Sequence, residues 1–188
     1  MAEKLPEIIV FAGPNGSGKS TVTKLAKIIE PYINADDIKR ANHCADLEAA
    51  QKAERIRENC LEKHIGFTFE TVLSTDRNLN LLQRAKNQGY FIRCIYVLTF
   101  DYCINIARVK SREAQGGHGV PTEKIVSRYK KALALLPKLV EVCDILHIYD
   151  NTEEPFRIFK KRKQEFFFWK NKFWNETSIR KLLHLEDL

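Results

Sequence analysis

The sequence predicts an α/β fold, a parallel sheet with helices on both faces, and three observations predict it. Short apolar runs alternate with helical patterns through residue 149, an order that places strands side by side with helices packed over them. The first run, Ile-Ile-Val-Phe-Ala at residues 8–12, is apolar without alternation, as a strand buried on both faces must be. A glycine-rich turn follows it directly and opens a helix. Ligands of such sheets bind just beyond the carboxyl ends of the strands.

Each element has its own signal. Residues 19 to about 29 carry a helical pattern after the turn, and residues 32–34 make a short second strand. Asp46 can cap a long helix that ends at Gly66, and residues 67–69 form a third strand. Ser74 or Thr75 opens the next helix, and Gly89 closes it at the position after the C-cap, where a left-handed glycine satisfies the last carbonyls. Residues 91–98 have the strongest β-propensity. Asp101 caps a helix that stops at Gly116 and Gly117, Pro121 and Thr122 start one reaching about Leu136, and residues 143–149 form the fifth strand. Beyond them, residues 156–159 and 165–169 can pair as a hairpin around residues 160–163. Asn175 can cap a final helix holding Ile179, Leu182 and Leu183. With no repeat or linker, the chain reads as one domain: an α/β core over residues 1–151, with a lid at about 101–136, and a tail over 152–188.

Composition narrows the class. A chain of 188 residues buries about 70% of its unfolded surface, and 44% hydrophobic with 29% charged residues excludes wholesale disorder. No apolar run approaches the roughly 20 residues that span a bilayer, and residues 8–12 are too short for a secretory signal, so the expectation is cytoplasmic. The net charge is +7, of which residues 156–188 carry +5. The basic signal that would suggest nucleic acid thus belongs mostly to a short tail. That tail holds eight of the nineteen aromatics, including Phe166-Phe-Phe-Trp169 beside Lys160-Lys-Arg-Lys163. Cations beside stacking rings can bind single strands; a strand packed on the domain is the favoured alternative. Alternation sends Phe166 and Phe168 to one side, Phe167 and Trp169 to the other. The five cysteines include no CxxC pair, so they read as buried, reduced thiols.

The chemistry starts at the turn. Gly13-Pro14-Asn15-Gly16-Ser17-Gly18-Lys19-Ser20 fits G-x-x-x-x-G-K-[ST], and Thr21 follows. Such a P-loop wraps phosphate in backbone N–H groups, which needs residues without Cβ at the tight positions. The following helix points its positive end at the anion. Lys19 reaches the β- and γ-phosphates, and the Ser20 hydroxyl is placed for Mg²⁺. The pattern therefore predicts a nucleoside triphosphate, ATP or GTP, with Mg²⁺. No guanine-reading Asn-Lys-x-Asp is present, which argues against a GTPase.

Phosphoryl transfer further needs a base, an acceptor pocket and cations. Asp36, just past the second strand, can take the acceptor's proton. Either Asp36 or Asp37 can instead cap a helix, and a metal-binding role is a third option. Glu70 and Thr71, after the third strand, can line the acceptor pocket, where a carboxylate holds sugar hydroxyls or Mg²⁺ through water; a plain turn is the alternative. The candidate cations are Arg108, Arg112, His118, Lys124 and Arg128. Arg108 and Arg112 lie four apart on one helical face, and the Gly-rich stretch 116–119 would let a lid carry guanidinium groups onto the γ-phosphate.

With these pieces in order, the chain resembles the zeta-toxin family of P-loop kinases from about Ile8 to Asn151. The resemblance rests on Gly-Pro-Asn-Gly-Ser-Gly-Lys-Ser-Thr (13–21), Ile-Asn-Ala-Asp-Asp (33–37), Phe-Glu-Thr-Val-Leu-Ser (69–74), Ala-Arg-Val (107–109) and Gly-Gly-His-Gly-Val-Pro (116–121), with Arg128-Tyr129 and Tyr149-Asp-Asn151 beyond. It implies a kinase acting on the 3′-hydroxyl of UDP-N-acetylglucosamine with ATP or GTP and Mg²⁺. It makes Asp36 the base and has Glu70 help hold the nucleotide-sugar. Arg108 fits the first lid arginine by its Ala-Arg context, and Arg112 competes with it. The place of the second holds His118, only partly charged at neutral pH, and Arg128 can substitute from the next helix. The resemblance also implies a possible antitoxin partner. A nucleic-acid-associated ATPase or polynucleotide kinase using the basic tail is the competing function.

Overall fold

The structure is a computed structural model that describes residues 5–24, 26–117 and 119–186. Among the described residues, seven strands form one sheet in the order β2 (Tyr32–Ile33), β3 (Phe67–Thr71), β1 (Glu7–Ala12), β4 (Phe91–Leu98), β5 (Ile145–Asp150), β6 (Phe156–Arg162), β7 (Glu165–Phe168). The first five are parallel, and the last two are added antiparallel. Chain order reverses across β1, with β3 on one side and β4 on the other. The carboxyl end of β1 is therefore the topological switch point, where an open α/β sheet has its crevice.

Eight helices accompany the sheet among the described residues: α1 (Lys19–Thr23), α2 (Ala35–Asn42), α3 (Asp46–Glu62), α4 (Asp76–Asn87), α5 (Tyr102–Ala114), α6 (Thr122–Ala134), α7 (Leu136–Val142) and α8 (Glu176–Leu183). Register explains the core. Val10 pairs with Phe69 and Cys94, Cys94 with Leu146, Leu146 with Lys161 and Lys161 with Phe166, so one face runs unbroken from β3 to β7. This face packs with Ala53 of α3, Leu82 of α4, Leu139 of α7 and Ile179 of α8 in a single cluster. Phe67, Phe69 and Phe159 are fully buried there, each contributing about 1.5–3 kcal/mol.

Several boundaries differ from expectation for identifiable reasons. The helix after the loop stops at Thr23 rather than near residue 29. The Thr68 hydroxyl accepts from Ile29 N and donates to Ile29 O, both at 2.8 Å, so a contact to β3 captures the backbone a longer helix would need. Asn34, not Asp36 or Asp37, caps α2, its side chain accepting from Asp36 N at 2.9 Å. Ala45 is the N-cap of α3, Asp46 opens its first turn, and the helix ends at Glu62 rather than Gly66. A separate helix, α7, starts at Leu136 with Pro137 in its first turn, because Pro137 offers no N–H to continue α6. Thr75, Asp101 and Asn175 do stand at the N-caps of α4, α5 and α8, the last in a capping box.

The hairpin forms, but Lys160, Lys161 and Arg162 of its basic run lie in strand β6, and only Lys163 falls in the turn. Lys161 is buried, and its Nζ donates to Val140 O and, at 3.5 Å, to Glu141 O, a cation at the carboxyl end of α7. Phe166 and Phe168 pack inward against Phe159. The opposite face stays partly open: Phe167 is exposed, with Lys160 over its ring, and Arg157 lies over Trp169. His147, half-buried beside Arg157 and Lys160, has its pKa pushed down to about 4, mainly by burial, and is neutral. The cysteines are all free; Cys60, Cys94 and Cys143 are buried, whereas Cys103 is exposed and Cys44 intermediate. No helix of the described residues is long and apolar enough to cross a membrane.

Candidate active site

The glycine-rich loop leaves β1 at the switch point and is held by the protein on every side. Gly13 N donates to Thr71 O at 3.2 Å. Asn105 of α5 donates from Nδ2 to Asn15 O at 2.6 Å, and Asn151, just after β5, donates to Ser17 O at 2.8 Å. Asn105 is itself oriented by the Thr99 hydroxyl, which donates to its Oδ1. The glycines answer to these neighbours. A Cβ on Gly13 would stand 2.0 Å from Val97 O, one on Gly18 2.1 Å from Asn151 Nδ2, and both have positive φ. The absence of side chains thus lets the loop nest between β4, α5 and Asn151. The five-residue α1 is too short to contribute a sizeable dipole, so the exposed N–H groups of the loop itself would carry phosphate recognition.

Lys19 is half-buried and donates from Nζ to Gly13 O at 2.7 Å and Pro14 O at 3.0 Å. Burial pushes its pKa down to about 8, against the opposing pull of Glu70 and Asp36, and Arg112 lowers it further. Ser20 is exposed at the loop–helix junction, and its hydroxyl makes no hydrogen bond among the described residues. Ser17, by contrast, is buried with its Oγ unpartnered.

A cleft of about 540 Å³ runs from this loop across the ends of β2 and β3. Lys19, Ser20, Asp36, Glu70, Thr71, Arg108, Arg112 and Arg128 all line it. Because Asn34 takes the cap, the Asp36 carboxylate makes no hydrogen bond or ion pair among the described residues. Glu70 is fixed: Oε1 accepts from Thr23 Oγ1 at 2.8 Å and from Tyr32 OH at 2.7 Å. Burial and this carboxylate raise the Tyr32 pKa, so the phenol stays protonated and donating. Thr71 Oγ1 accepts from Leu73 N at 3.0 Å and from Asn78 Nδ2 at 2.7 Å. Both residues lie within the strand end rather than in a turn.

The three arginines differ in their anchoring. Arg108 donates to Asn151 O at 2.8 Å and Thr152 O at 3.1 Å, which ties α5 to the end of β5. Arg128 reaches back from α6 to Asn15 Oδ1 at 3.3 Å. Arg112 is exposed at the cleft rim. Lys124 is exposed and does not line the cleft, and His118 lies outside the described residues. Sequence reasoning missed Asn105, Asn151, Tyr32, Arg57 and Asn78. An asparagine just past a strand end was the one available signal, at Asn151; nothing in the sequence distinguishes the others from ordinary helix or strand residues.

No group of three or more His, Cys, Asp or Glu side chains able to hold a metal occurs among the described residues. A divalent ion here would rest on Ser20 and on nucleotide phosphates, the usual manner of Mg²⁺ in such sites.

No protein-family model matches the chain. An uncharacterized protein of Haemophilus influenzae is 31% identical over 127 residues, covering 64% of this chain and 91% of that protein. Among solved structures, the AvrRxo1-ORF1:-ORF2 complex with ATP is similar at a TM-score of 0.72 and 13% identity, over 95% of this chain and 63% of the matched chain. This chain therefore spans less than two thirds of that protein's length. The PezAT chromosomal toxin–antitoxin system of Streptococcus pneumoniae is similar at a TM-score of 0.58 and 16% identity, over 100% of this chain and 86% of the other. At such identities the likeness is one of fold. The chain belongs to one family with the Haemophilus influenzae protein, and its fold is that of the zeta-toxin-like P-loop kinases.

Proposed function

We propose that this protein is a zeta-toxin-type phosphotransferase that moves the γ-phosphoryl group of ATP to a hydroxyl of a small molecule, a nucleotide-sugar such as UDP-N-acetylglucosamine. The observation that carries this reading is the single cleft that joins the P-loop to an uncommitted carboxylate, Asp36, and to the fixed Glu70. A nucleotide-hydrolysing switch has no need of a second, polar compartment beyond the γ-phosphate; a kinase does.

In this reading the loop N–H groups and Lys19 hold the β- and γ-phosphates. Asp36 removes the proton from the acceptor hydroxyl as its oxygen bonds to the γ-phosphorus. The bond from that phosphorus to the bridging oxygen breaks, and ADP leaves with the electron pair. Glu70, anchored by Thr23 and Tyr32, orients the acceptor's hydroxyls. Arg112 and Arg128, with Arg108 holding the end of β5 against α5, offset the charge on the transferring group. Mg²⁺ held at Ser20 would supply charge neutralisation on the phosphates. The likeness to a toxin–antitoxin system extends the proposal to a protein partner that covers the cleft.

The test is incubation with Mg²⁺-ATP and UDP-N-acetylglucosamine, read by mass spectrometry. One phosphoryl group should be added to the sugar, and none with Lys19→Met. Intact ATP binding without any phosphorylated product from that compound would discard this acceptor. A second reading, a polynucleotide kinase using the tail, draws on the open face with Lys160 and Arg157. It requires RNA or DNA affinity that falls steeply with salt and drops on Lys160→Ala; salt-independent or absent binding removes it.

A further inference from the structure

The acceptor half of the cleft contains a cation whose burial the fold does not use. Ala49, Ala53 and Arg57 recur at every fourth position of α3 and line the cleft together. The two alanines leave room, and Arg57 stands beyond them, only 7% exposed. Its guanidinium packs 5.3 Å from the centre of the Phe69 ring. It makes no hydrogen bond or ion pair among the described residues, and its Nε is buried without a partner. The neighbouring carboxylates are committed elsewhere: Glu54 accepts from Arg77 at 3.1 Å, and Glu58 accepts from both terminal nitrogens of Arg84 at 3.0 and 2.6 Å. Burying a guanidinium without a hydrogen-bond partner is destabilising, a penalty that packing alone does not justify.

A second orphan lies in the same cleft. Asn78 Oδ1 is buried without a partner, while its Nδ2 is held by Thr71 Oγ1. Its carbonyl is therefore an acceptor awaiting an O–H or N–H. Alternation along β3 places Phe69 and Thr71 on one face and Glu70 on the other, so Arg57 and Asn78 flank the pocket from the α3–α4 side, opposite Glu70. A cation and a carbonyl left unsatisfied together match a ligand that carries an anionic group beside hydroxyls.

We propose that Arg57 reads an oxyanion on the acceptor, a phosphate or a carboxylate, and that hydroxyl compounds lacking one are poor substrates. The inference rests on the kinase reading for the word acceptor, while the anion site itself stands on Arg57 and Asn78.

The experiment keeps the two separable. Protein loaded with Mg²⁺ and a non-hydrolysable ATP analogue, which fills the P-loop, is titrated calorimetrically with N-acetylglucosamine, N-acetylglucosamine 1-phosphate, glucuronate and UDP-N-acetylglucosamine. The phosphate and carboxylate arms distinguish the two sources of the oxyanion. At least one anionic compound should bind about tenfold or more tightly than the neutral sugar, the value expected of one charge-assisted pair. Arg57→Met should erase that difference and leave analogue affinity within about twofold, whereas Arg57→Lys should keep part of it. The melting temperature of Arg57→Met should equal or exceed wild type, because an unpaired buried charge is replaced by an apolar chain of similar length. A marked drop in melting temperature with unchanged anion affinity would make Arg57 structural and overturn the proposal. So would equal binding of neutral and anionic compounds, or no binding of any anion to the loaded protein. Anion binding that Arg57→Met abolishes, without phosphoryl transfer to any of these compounds, would uphold the anion site and overturn the kinase reading.

Discussion

The two halves of the cleft are built on opposite principles. At the loop end the protein supplies partners for the backbone carbonyls, leaving the Ser17 and Ser20 hydroxyls without one among the described residues: Asn105 and Asn151 hold the loop carbonyls, Arg128 reaches Asn15, and Lys19 donates to two backbone oxygens. At the proposed acceptor end Glu70 is held by Thr23 and Tyr32, but other polar groups are left wanting: Arg57 Nε and Asn78 Oδ1 are buried and unpartnered, and the Asp36 carboxylate has no hydrogen bond among the described residues. A loop that binds the invariant part of a nucleotide gains from being rigid before binding. A pocket that must select one acceptor gains from groups that only the right ligand satisfies, because a wrong ligand leaves them unpaired.

This contrast can be broken from either side. The largest effect should come from the cations: Arg128→Ala is expected to lower kcat by about 10³-fold or more, the scale of an arginine lost from a phosphoryl-transfer site, and rapid single-turnover measurement would show a drop of only a few fold if Arg128 merely props the loop. Next comes the clamp. Asn151→Ala should destabilise the protein by about 1–3 kcal/mol, since Ser17 O loses its donor, and should weaken ATP binding as well. Because Gly18 Cβ and Asn151 Nδ2 would collide, Gly18→Ala should do less damage in an Asn151→Ala background than alone, and additive denaturation free energies would refute that coupling.

A pH series sharpens the comparison further. The folded-state pKa of Lys19, about 8, lies below its ordinary 10.5. The unfolded chain therefore holds more protons between those values, and stability rises with pH there. Below about pH 8 both states are protonated and the burial penalty is fully present. Relative to Lys19→Met, the melting temperature of the ligand-free wild type should climb from pH 8 to 10.5; a flat difference would mean that Lys19 titrates normally. The smallest effect is expected away from the cleft. Lys160→Ala, on the open face of the hairpin, should change stability by about 0.5 kcal/mol or less and leave kcat/KM untouched, whereas Lys161→Ala strips two carbonyls at the end of α7 of their donor and should be clearly destabilising.

Legibility in the sequence followed the range of the interactions. The strand–loop–helix unit, the strand at residues 91–98 and the caps at Thr75, Asp101 and Asn175 were readable because their signals lie within a few residues. The early end of α1 was not, because it depends on a hydroxyl 39 residues away. The same holds for the site. The loop, Asp36, Glu70 and Arg108 announce themselves by motif and by position after strands. Asn105 and Asn151 act on the loop across 90 and 134 residues, and Arg57 looks like any charged residue on a helix until β3 and α4 close around it.

The most direct measurement pairs single-turnover phosphoryl transfer by Asp36→Asn with the affinity of that variant for Mg²⁺-ATP. An uncommitted carboxylate acting as base predicts a loss of about 10²–10⁴-fold in transfer, with nucleotide affinity within about twofold of wild type. Transfer at the wild-type rate would contradict the account, because the cleft would then join the P-loop to a carboxylate that takes no part in the reaction.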